Sequence, residues 1–217
     1  MFPPLLRPCH RMGMSETELH HFLFADISGY SRLSEIGGDE VAAELAIGFA
    51  AEAERIAREH GAEIVKRVGD AVMLRCDCAA ELINLGLRLH DELGARIPIH
   101  VGIHTGCALA RSGDWWGSTV NVAARVADAA DAGQLLITEA TRKAAGELSR
   151  TRLRALGLYR FKNISSPVRV YAVSRGSGAP PVAEAKPRRT RAPRDWAPQL
   201  SLFDRERVPV SSLAFEG

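Results

Sequence analysis

Residues 62–76 read AEIVKRVGDAVMLRC. Two β-rich runs, AEIVKRV and AVMLRC, meet at Gly69–Asp70. A Gly-Asp pair between such runs is hairpin chemistry: glycine accepts a left-handed backbone and aspartate hydrogen-bonds within the turn. Two adjacent antiparallel strands need neighbours that bury their apolar side chains, and the flanking sequence supplies them. Upstream, DEVAAELAIGFAAEAERIAREHG (residues 39–61) repeats apolar residues at helical spacing, with Asp39 as the expected N-cap and Gly61 as the expected stop. Downstream, AAELINLGLRLHDELG (79–94) is a second amphipathic helix.

Further out, HHFLFADI (20–27) is a short apolar strand that ends in Asp26. RIPIHVGIHTGCALA (96–110) reads as one long strand, its Gly102 and Gly106 permitting a bulge or a close backbone approach. GQLLIT (133–138) is a strand, Thr138 begins a short helix, and PVRVYAV (167–173) is the last strand. The expected fold is an α/β (α+β) sandwich, ferredoxin-like, with helices packed on a mainly antiparallel sheet.

Composition sets the limits. The chain has 217 residues, 46% hydrophobic and 25% charged, enough for one globular domain with appendages. A net charge of +2 is too small to argue for nucleic-acid or membrane binding by the whole molecule. Cys9, Cys76, Cys78 and Cys107 make no disulfide framework, and the C-x-C pair lacks the partners of a zinc site. The expected compartment is the reducing cytoplasm. No apolar run approaches the roughly 20 residues that span a bilayer. Residues 1–19, with prolines and arginines in place of a signal-peptide core, are expected to be an irregular arm, with Met12 or Met14 as alternative starts. Residues 20–174 form the expected domain. From residue 175 a Pro-, Ala- and Arg-rich linker leads into a tail too short for a core.

Chemistry-bearing residues are few. Asp26 closes a strand, where a carboxylate and the following Ile27 carbonyl can hold a cation; the same Asp also suits a turn with Ser28 and Gly29. Asp70 sits at the hairpin tip and could share that cation if the strands are neighbours, though turn chemistry alone explains it. Alternation sets Lys66 on the face of Ile64 and Val68, either buried among apolar neighbours or snorkelling at a sheet edge. In GDWWGSTVNVAAR (113–125), Asn121 and Arg125 lie four residues apart on one helix face. Trp115 and Trp116 suit a ligand site, an interface or a core equally.

Five segments then carry a family resemblance: FADISGYSRL (24–33), EIVKRVGDAVM (63–73), IHVGIHTG (99–106), DWWGSTVNVAARV (114–126) and FKNISSPVRVYAV (161–173). In order and spacing, residues 20–174 resemble the catalytic domain of class III nucleotidyl (adenylyl/guanylyl) cyclases. The resemblance implies that Asp26, Asp70 and the Ile27 carbonyl bind two Mg²⁺ or Mn²⁺ ions. It makes Lys66 and Asp114 the purine-reading pair, and Asn121 and Arg125 the residues serving the transition state. Phe161 and Asn163 replace the family's Leu and Gly around Lys162, so no phosphate-binding role is carried over to Lys162.

The implied reaction is attack of the ribose 3′-hydroxyl on the α-phosphate, expelling pyrophosphate. Two cations about 4 Å apart suit such an in-line displacement. Arg125 would meet charge growing on the phosphate and Asn121 would orient the ribose. No side chain is an obvious general base. Adenine presents an amino donor and a ring acceptor, which match Asp114 and Lys66; guanine reverses the pattern. ATP is therefore expected over GTP, with guanylate cyclase activity as the alternative. Lys66 and Asp70 lie four residues apart yet serve opposite ends of the nucleotide. The resemblance resolves this with a homodimer, Asp26 and Asp70 from one subunit and the other four residues from its partner. A catalytically silent nucleotide-binding and dimerisation module is the competing class. In the tail, the basic run Lys186, Arg188, Arg189, Arg191 and Arg194 reads as a solvated linker rather than a nucleic-acid site. Gln199–Phe203 (QLSLF) resembles a clamp-docking peptide of bacterial replication proteins.

Overall fold

The computed structural model describes residues 18–176. Its centre is β1 (Leu19–Ile27), buried along nearly its whole length. Antiparallel partners flank it: β3 (Ala71–Cys76) on one side and β4 (Ile99–Cys107) on the other. The hairpin read from residues 62–76 forms as expected, with β2 (Ala62–Val68) turning into β3 and Val68 opposite Ala71. Beyond β4 come β7 (Leu135–Thr138), β9 (Val168–Arg175) and β8 (Thr151–Tyr159), giving a seven-stranded sheet in the order β2-β3-β1-β4-β7-β9-β8. Only β4 and β7 pair in parallel. The short strands β5 (Leu109–Arg111) and β6 (Asp114–Trp116) make a separate hairpin.

Strand alternation sorts the core into two faces. Leu23, Ala25 and Ile27 of β1 join Phe49 and Ile56 of α2 (Asp39–Glu59) and Leu82, Leu85 and Leu89 of α3 (Ala79–Leu93). Phe22 and Phe24 point the other way, to Val120, Ala123 and Ala127 of α4 (Ser118–Asp128). Asp26 shares the parity of Phe22 and Phe24, which sets it under α4. The remaining helices are α1 (Tyr30–Gly37) and α5 (Glu139–Ala145), the latter capped by Thr138, whose hydroxyl accepts from the Thr141 N–H.

Helix α4 lies unusually close to β4. A Cβ built on Gly102 would stand 2.0 Å from the Ala127 backbone nitrogen, and one on Gly106 would stand 2.7 Å from Thr119 Oγ1. The β1–β4 register runs without a shift. Both glycines therefore serve close approach rather than a bulge.

Several expectations need correction. Asp39 is not the N-cap of α2 but its first residue; Gly38 caps, and Asp39 accepts a hydrogen bond from Ser34 Oγ. Residues 96–110 are not one strand, because pairing with β1 ends at Cys107 and the chain turns into β5. Strand β8 is absent from the sequence reading: a bulge at Leu156 breaks its alternation of arginines and apolar residues, as suits a sheet edge. Lys66 does not share a face with Ile64. A bulge at Val65 shifts the register, so Ile64 opposes Leu74 while Lys66 opposes Met73, on the α4 side.

Cys76 and Cys78 are free thiols. Among the described residues no helix is long and apolar enough to cross a membrane. Leu19, placed in the expected N-terminal arm, is the first residue of β1; residues 1–17, the basic run and Gln199–Phe203 lie outside the described residues.

Gly102→Ala should lower the unfolding free energy by about 3 kcal/mol or more, because rigid helix backbone blocks the new methyl. Gly86→Ala would clash with the Leu135 Cδ1 methyl at 2.5 Å, a side-chain end that can turn aside, and would make ordinary contact with Leu23 and Val101, so about 1 kcal/mol is expected. Urea unfolding of both variants checks the ranking; equal losses would contradict the close α4–β4 approach.

Candidate active site

Asp26 is the penultimate residue of β1 and stands between two partners, opposite Ala71 on β3 and His100 on β4. Asp70 immediately precedes Ala71, so the two carboxylates expected to share a metal emerge at the same end of neighbouring strands. Ile27 is the last residue of β1 and opposes Ile99; just beyond it, the Ser28 N–H donates to the Pro98 carbonyl (2.7 Å).

Asp26 is 6% exposed. Its Oδ2 lies 3.1 Å from His100 Nε2, while its Oδ1 is buried with no hydrogen-bond partner among the described residues. Leaving a buried carboxylate oxygen unpaired costs roughly 1–3 kcal/mol or more. The orphaned oxygen fits a cation. The donors available at this strand end, Asp26, Asp70 and the Ile27 carbonyl, are hard oxygens suited to Mg²⁺ or Mn²⁺. Among the described residues no three His, Cys, Asp or Glu side chains form a metal cage. Mg²⁺ rarely needs one, being commonly held by one or two carboxylates and completed by substrate phosphates.

The purine-reading candidates are already together. Lys66 Nζ donates to Asp114 Oδ2 at 2.7 Å, with both side chains about three-quarters buried. The other carboxylate oxygen, Oδ1, accepts from the Trp115 N–H at 2.7 Å. The Val65 bulge turns Lys66 to this side, and the β5–β6 hairpin carries Asp114 to it. Trp115 packs into the core against Phe22, ring centroids 5.5 Å apart, with the Arg75 guanidinium 4.7 Å from its ring centroid. Trp116 is largely exposed, and Lys66 Nζ stands 5.8 Å from its ring centroid. Asp114 also lines a cleft of about 390 Å³ with Glu63, Val65 and Arg111. That cleft includes neither Asp26 nor Arg125.

On α4, Val122, Ala123, Val126 and Ala127 face the sheet, while Asn121 is exposed and Arg125 half-buried. Arg125 Nη1 donates to Asp128 Oδ2 at 2.9 Å. Burial pushes the Asp128 carboxyl up to about 6; Arg125 opposes this shift and the negative charge of Asp26 adds to it. The structure thus gathers Asp26, His100, Asp128 and Arg125 into one electrostatic cluster, apart from the Lys66–Asp114 pair. His100, Ser28 and Asp128 were missed from sequence. Asp128 had a readable signal, an acid three residues after an arginine on one helix. His100 had none before the register was known. Lys162 is exposed, and Asn163 holds a left-handed backbone (φ 63°), a conformation Asn tolerates where a Gly would be usual.

Residues 13–171 match the family described as the adenylate and guanylate cyclase catalytic domain. The chain belongs to this cyclase family. A pH-sensitive adenylate cyclase of Mycobacterium tuberculosis is 34% identical over 163 residues, covering 71% of this chain and 40% of that protein. An adenylate cyclase of Streptomyces coelicolor is 34% identical over 134 residues, covering 59% of this chain and 34% of that protein. The chain thus spans well under half of either relative. Among solved structures, the adenylyl cyclase CyaB of P. aeruginosa superposes with a TM-score of 0.63 at 24% identity, covering 80% of this chain and 97% of that one. The catalytic core of a rhodopsin-guanylyl cyclase with converted specificity gives 0.66 at 22%, covering 73% and 96%. These structures establish a class III cyclase fold.

The Asp128 shift has a testable sign. Its folded value of about 6 lies above the ordinary 3.8, so the folded state holds this proton more tightly than the unfolded chain. The associated stability is full below pH 4 and is lost as pH rises through 6. Asp128→Asn cannot titrate. From pH 4 to pH 7 its stability relative to the unsubstituted chain should improve by on the order of 2 kcal/mol. Unfolding curves across that range give the difference, and a flat or opposite trend would refute the buried-carboxyl assignment.

Proposed function

We propose that the chain, through a catalytic domain at residues 20–174, is an adenylate cyclase converting ATP to 3′,5′-cyclic AMP and pyrophosphate at sites shared by two copies. The observation carrying this reading is the Lys66–Asp114 pair, a donor and an acceptor held 2.7 Å apart and about three-quarters buried. Lys66 keeps two further N–H donors for the adenine ring nitrogen, and Asp114 accepts from the exocyclic amino group. Guanine would bring a donor to Lys66 and an acceptor to Asp114. A mismatched buried polar contact of that kind costs about 1–3 kcal/mol, which supports ATP over GTP.

Asp26, Asp70 and the Ile27 carbonyl would hold two Mg²⁺ or Mn²⁺ ions per site. Such ions supply activation of the attacking 3′-hydroxyl and neutralisation of charge on the departing pyrophosphate. Asn121 orients the ribose so that the hydroxyl lies in line with the α-phosphate. Arg125 stabilises charge on that phosphate; only Nη1 is engaged by Asp128, so its remaining N–H donors can serve. No side chain is assigned as general base.

Two copies are invoked because the Lys66–Asp114 pair lies apart from Asp26 and Asp70 within one chain. Asp26 and Asp70 come from one copy; Lys66, Asp114, Asn121 and Arg125 come from the other, giving two equivalent sites by two-fold symmetry. The free thiols and the lack of a membrane-crossing helix among the described residues are compatible with a cytoplasmic enzyme.

Purified protein should form cyclic AMP from ATP in Mg²⁺ or Mn²⁺, with little cyclic GMP from GTP, and Asp70→Ala should abolish the product. Cyclic GMP as the main product would overturn the base reading; ATP binding by a folded dimer without any product would favour a silent nucleotide-binding module. Sharing of the site has its own check. Asp70→Ala and Arg125→Ala, each inactive alone, should recover about a quarter of full activity when mixed, because half the dimers are mixed and each has one intact site. No recovery despite subunit exchange would rule out the shared site.

A further inference from the structure

His100 is 3% exposed and is the direct cross-strand neighbour of Asp26. Its two ring nitrogens have different partners. Nε2 lies 3.1 Å from Asp26 Oδ2, and Nδ1 lies 3.0 Å from Ser28 Oγ. A carboxylate oxygen only accepts, so Nε2 must carry a proton. Nδ1 is then free to accept from the Ser28 hydroxyl. A single chain of donors results: Ser28 O–H to Nδ1, then Nε2–H to Asp26 Oδ2. Ser28 is itself fixed, because its N–H donates to the Pro98 carbonyl at 2.7 Å.

The consequence falls on the other oxygen of Asp26. With Oδ2 engaged, the carboxylate cannot rotate without losing this bond, and Oδ1, buried and without a partner among the described residues, is the oxygen left to present. We propose that His100, fixed by Ser28, is a positioning residue that orients Asp26 so that Oδ1 faces a divalent cation. This rests on the reading of Asp26 as a metal ligand and adds the residue that aims it. His100 itself touches neither substrate nor metal in this role. It acts as outer-shell donors do when they fix a ligand's orientation and thereby set metal affinity.

The test uses the full chain and Mn²⁺ alone, with bound and free ion separated by electron paramagnetic resonance, and Mn²⁺ dependence of cyclic AMP formation as a second readout. His100→Leu keeps bulk but removes the donor, and should weaken Mn²⁺ binding about 10- to 100-fold. His100→Gln places an amide N–H near the former Nε2 and should stay within about threefold of the unsubstituted chain. Ser28→Ala keeps the imidazole but frees its tautomer, and should weaken binding by an intermediate factor; it keeps the test decisive if His100→Leu fails to fold. Asp26→Asn separates the two layers of the reading. If Asp26→Asn abolishes Mn²⁺ binding while folded His100→Leu or Ser28→Ala binds as before, the positioning role is refuted and the metal site survives. If Asp26→Asn itself binds Mn²⁺ normally, both readings fall.

Discussion

The approach of α4 to β4 is the constraint on which the candidate site depends. Gly102 leaves no room for even a methyl beneath the Ala127 backbone. Ala123 and Ala127 keep the helix equally thin on its inner side. At this range the side chains near the C-terminal end of α4 reach the level of the sheet. Asp128 and Arg125 therefore enter the electrostatic field of Asp26 and His100 rather than standing in solvent. A helix spaced by leucines would stand farther out, near the usual separation of packed layers, and the cluster would come apart.

Charge burial there follows a consistent logic. Asp26 is buried beside an imidazole rather than a guanidinium or ammonium. A bidentate arginine would have satisfied both carboxylate oxygens and closed the position to any cation. The histidine satisfies one and leaves the other with its full desolvation penalty. Arg125 and Asp128 show the complementary arrangement. Their ion pair is largely buried, with 17% and 10% of the side chains exposed, yet it uses only one guanidinium nitrogen and leaves one Asp128 oxygen without a partner. Both pairs within this cluster are thus partly satisfied, and such half-satisfied polar groups are costly unless a ligand completes them.

How much of this could be read from the sequence depended on whether the signal was local. The 62–76 hairpin was legible because turn and strand signals lay within a few residues of each other. The seven-stranded order was not, since β7 joins β4 in parallel and β9 brings β8 to the edge through contacts distant in sequence. The Val65 bulge changed the face of Lys66, because one extra residue inverts every side chain beyond it. The family resemblance pairs Lys66 with Asp114, and the fold brings them together through that same bulge and the β5–β6 hairpin, of which the expected long strand covers only Leu109 and Ala110. His100 was invisible for a simpler reason. A histidine in a strand acquires meaning only from what stands opposite, and Asp26 is 74 positions away along the chain.

The separation of the two clusters bears directly on why one chain should be insufficient. Lys66 and Asp114 sit where the β5–β6 hairpin meets β2, whereas Asp26 and Asp70 sit at the strand end near the C-terminus of α4. A nucleotide is rigid enough at base and ribose, and its triphosphate short enough, that both ends must be met at fixed spacing. The cleft bordering Asp114 is lined by β2 and the hairpin, and Asp26 takes no part in it. On the proposed reading, two-fold symmetry offers a solution: a second copy, turned about, would set its Asp26–Asp70 strand end against the first copy's Lys66–Asp114 pair, and the reverse would hold at once. Arg125 would then carry its uncommitted donors across the interface toward the α-phosphate held beside the partner's Asp26 and Asp70. A largely buried arginine left half-paired is costly in a monomer, and a partner copy would give its remaining donors a use.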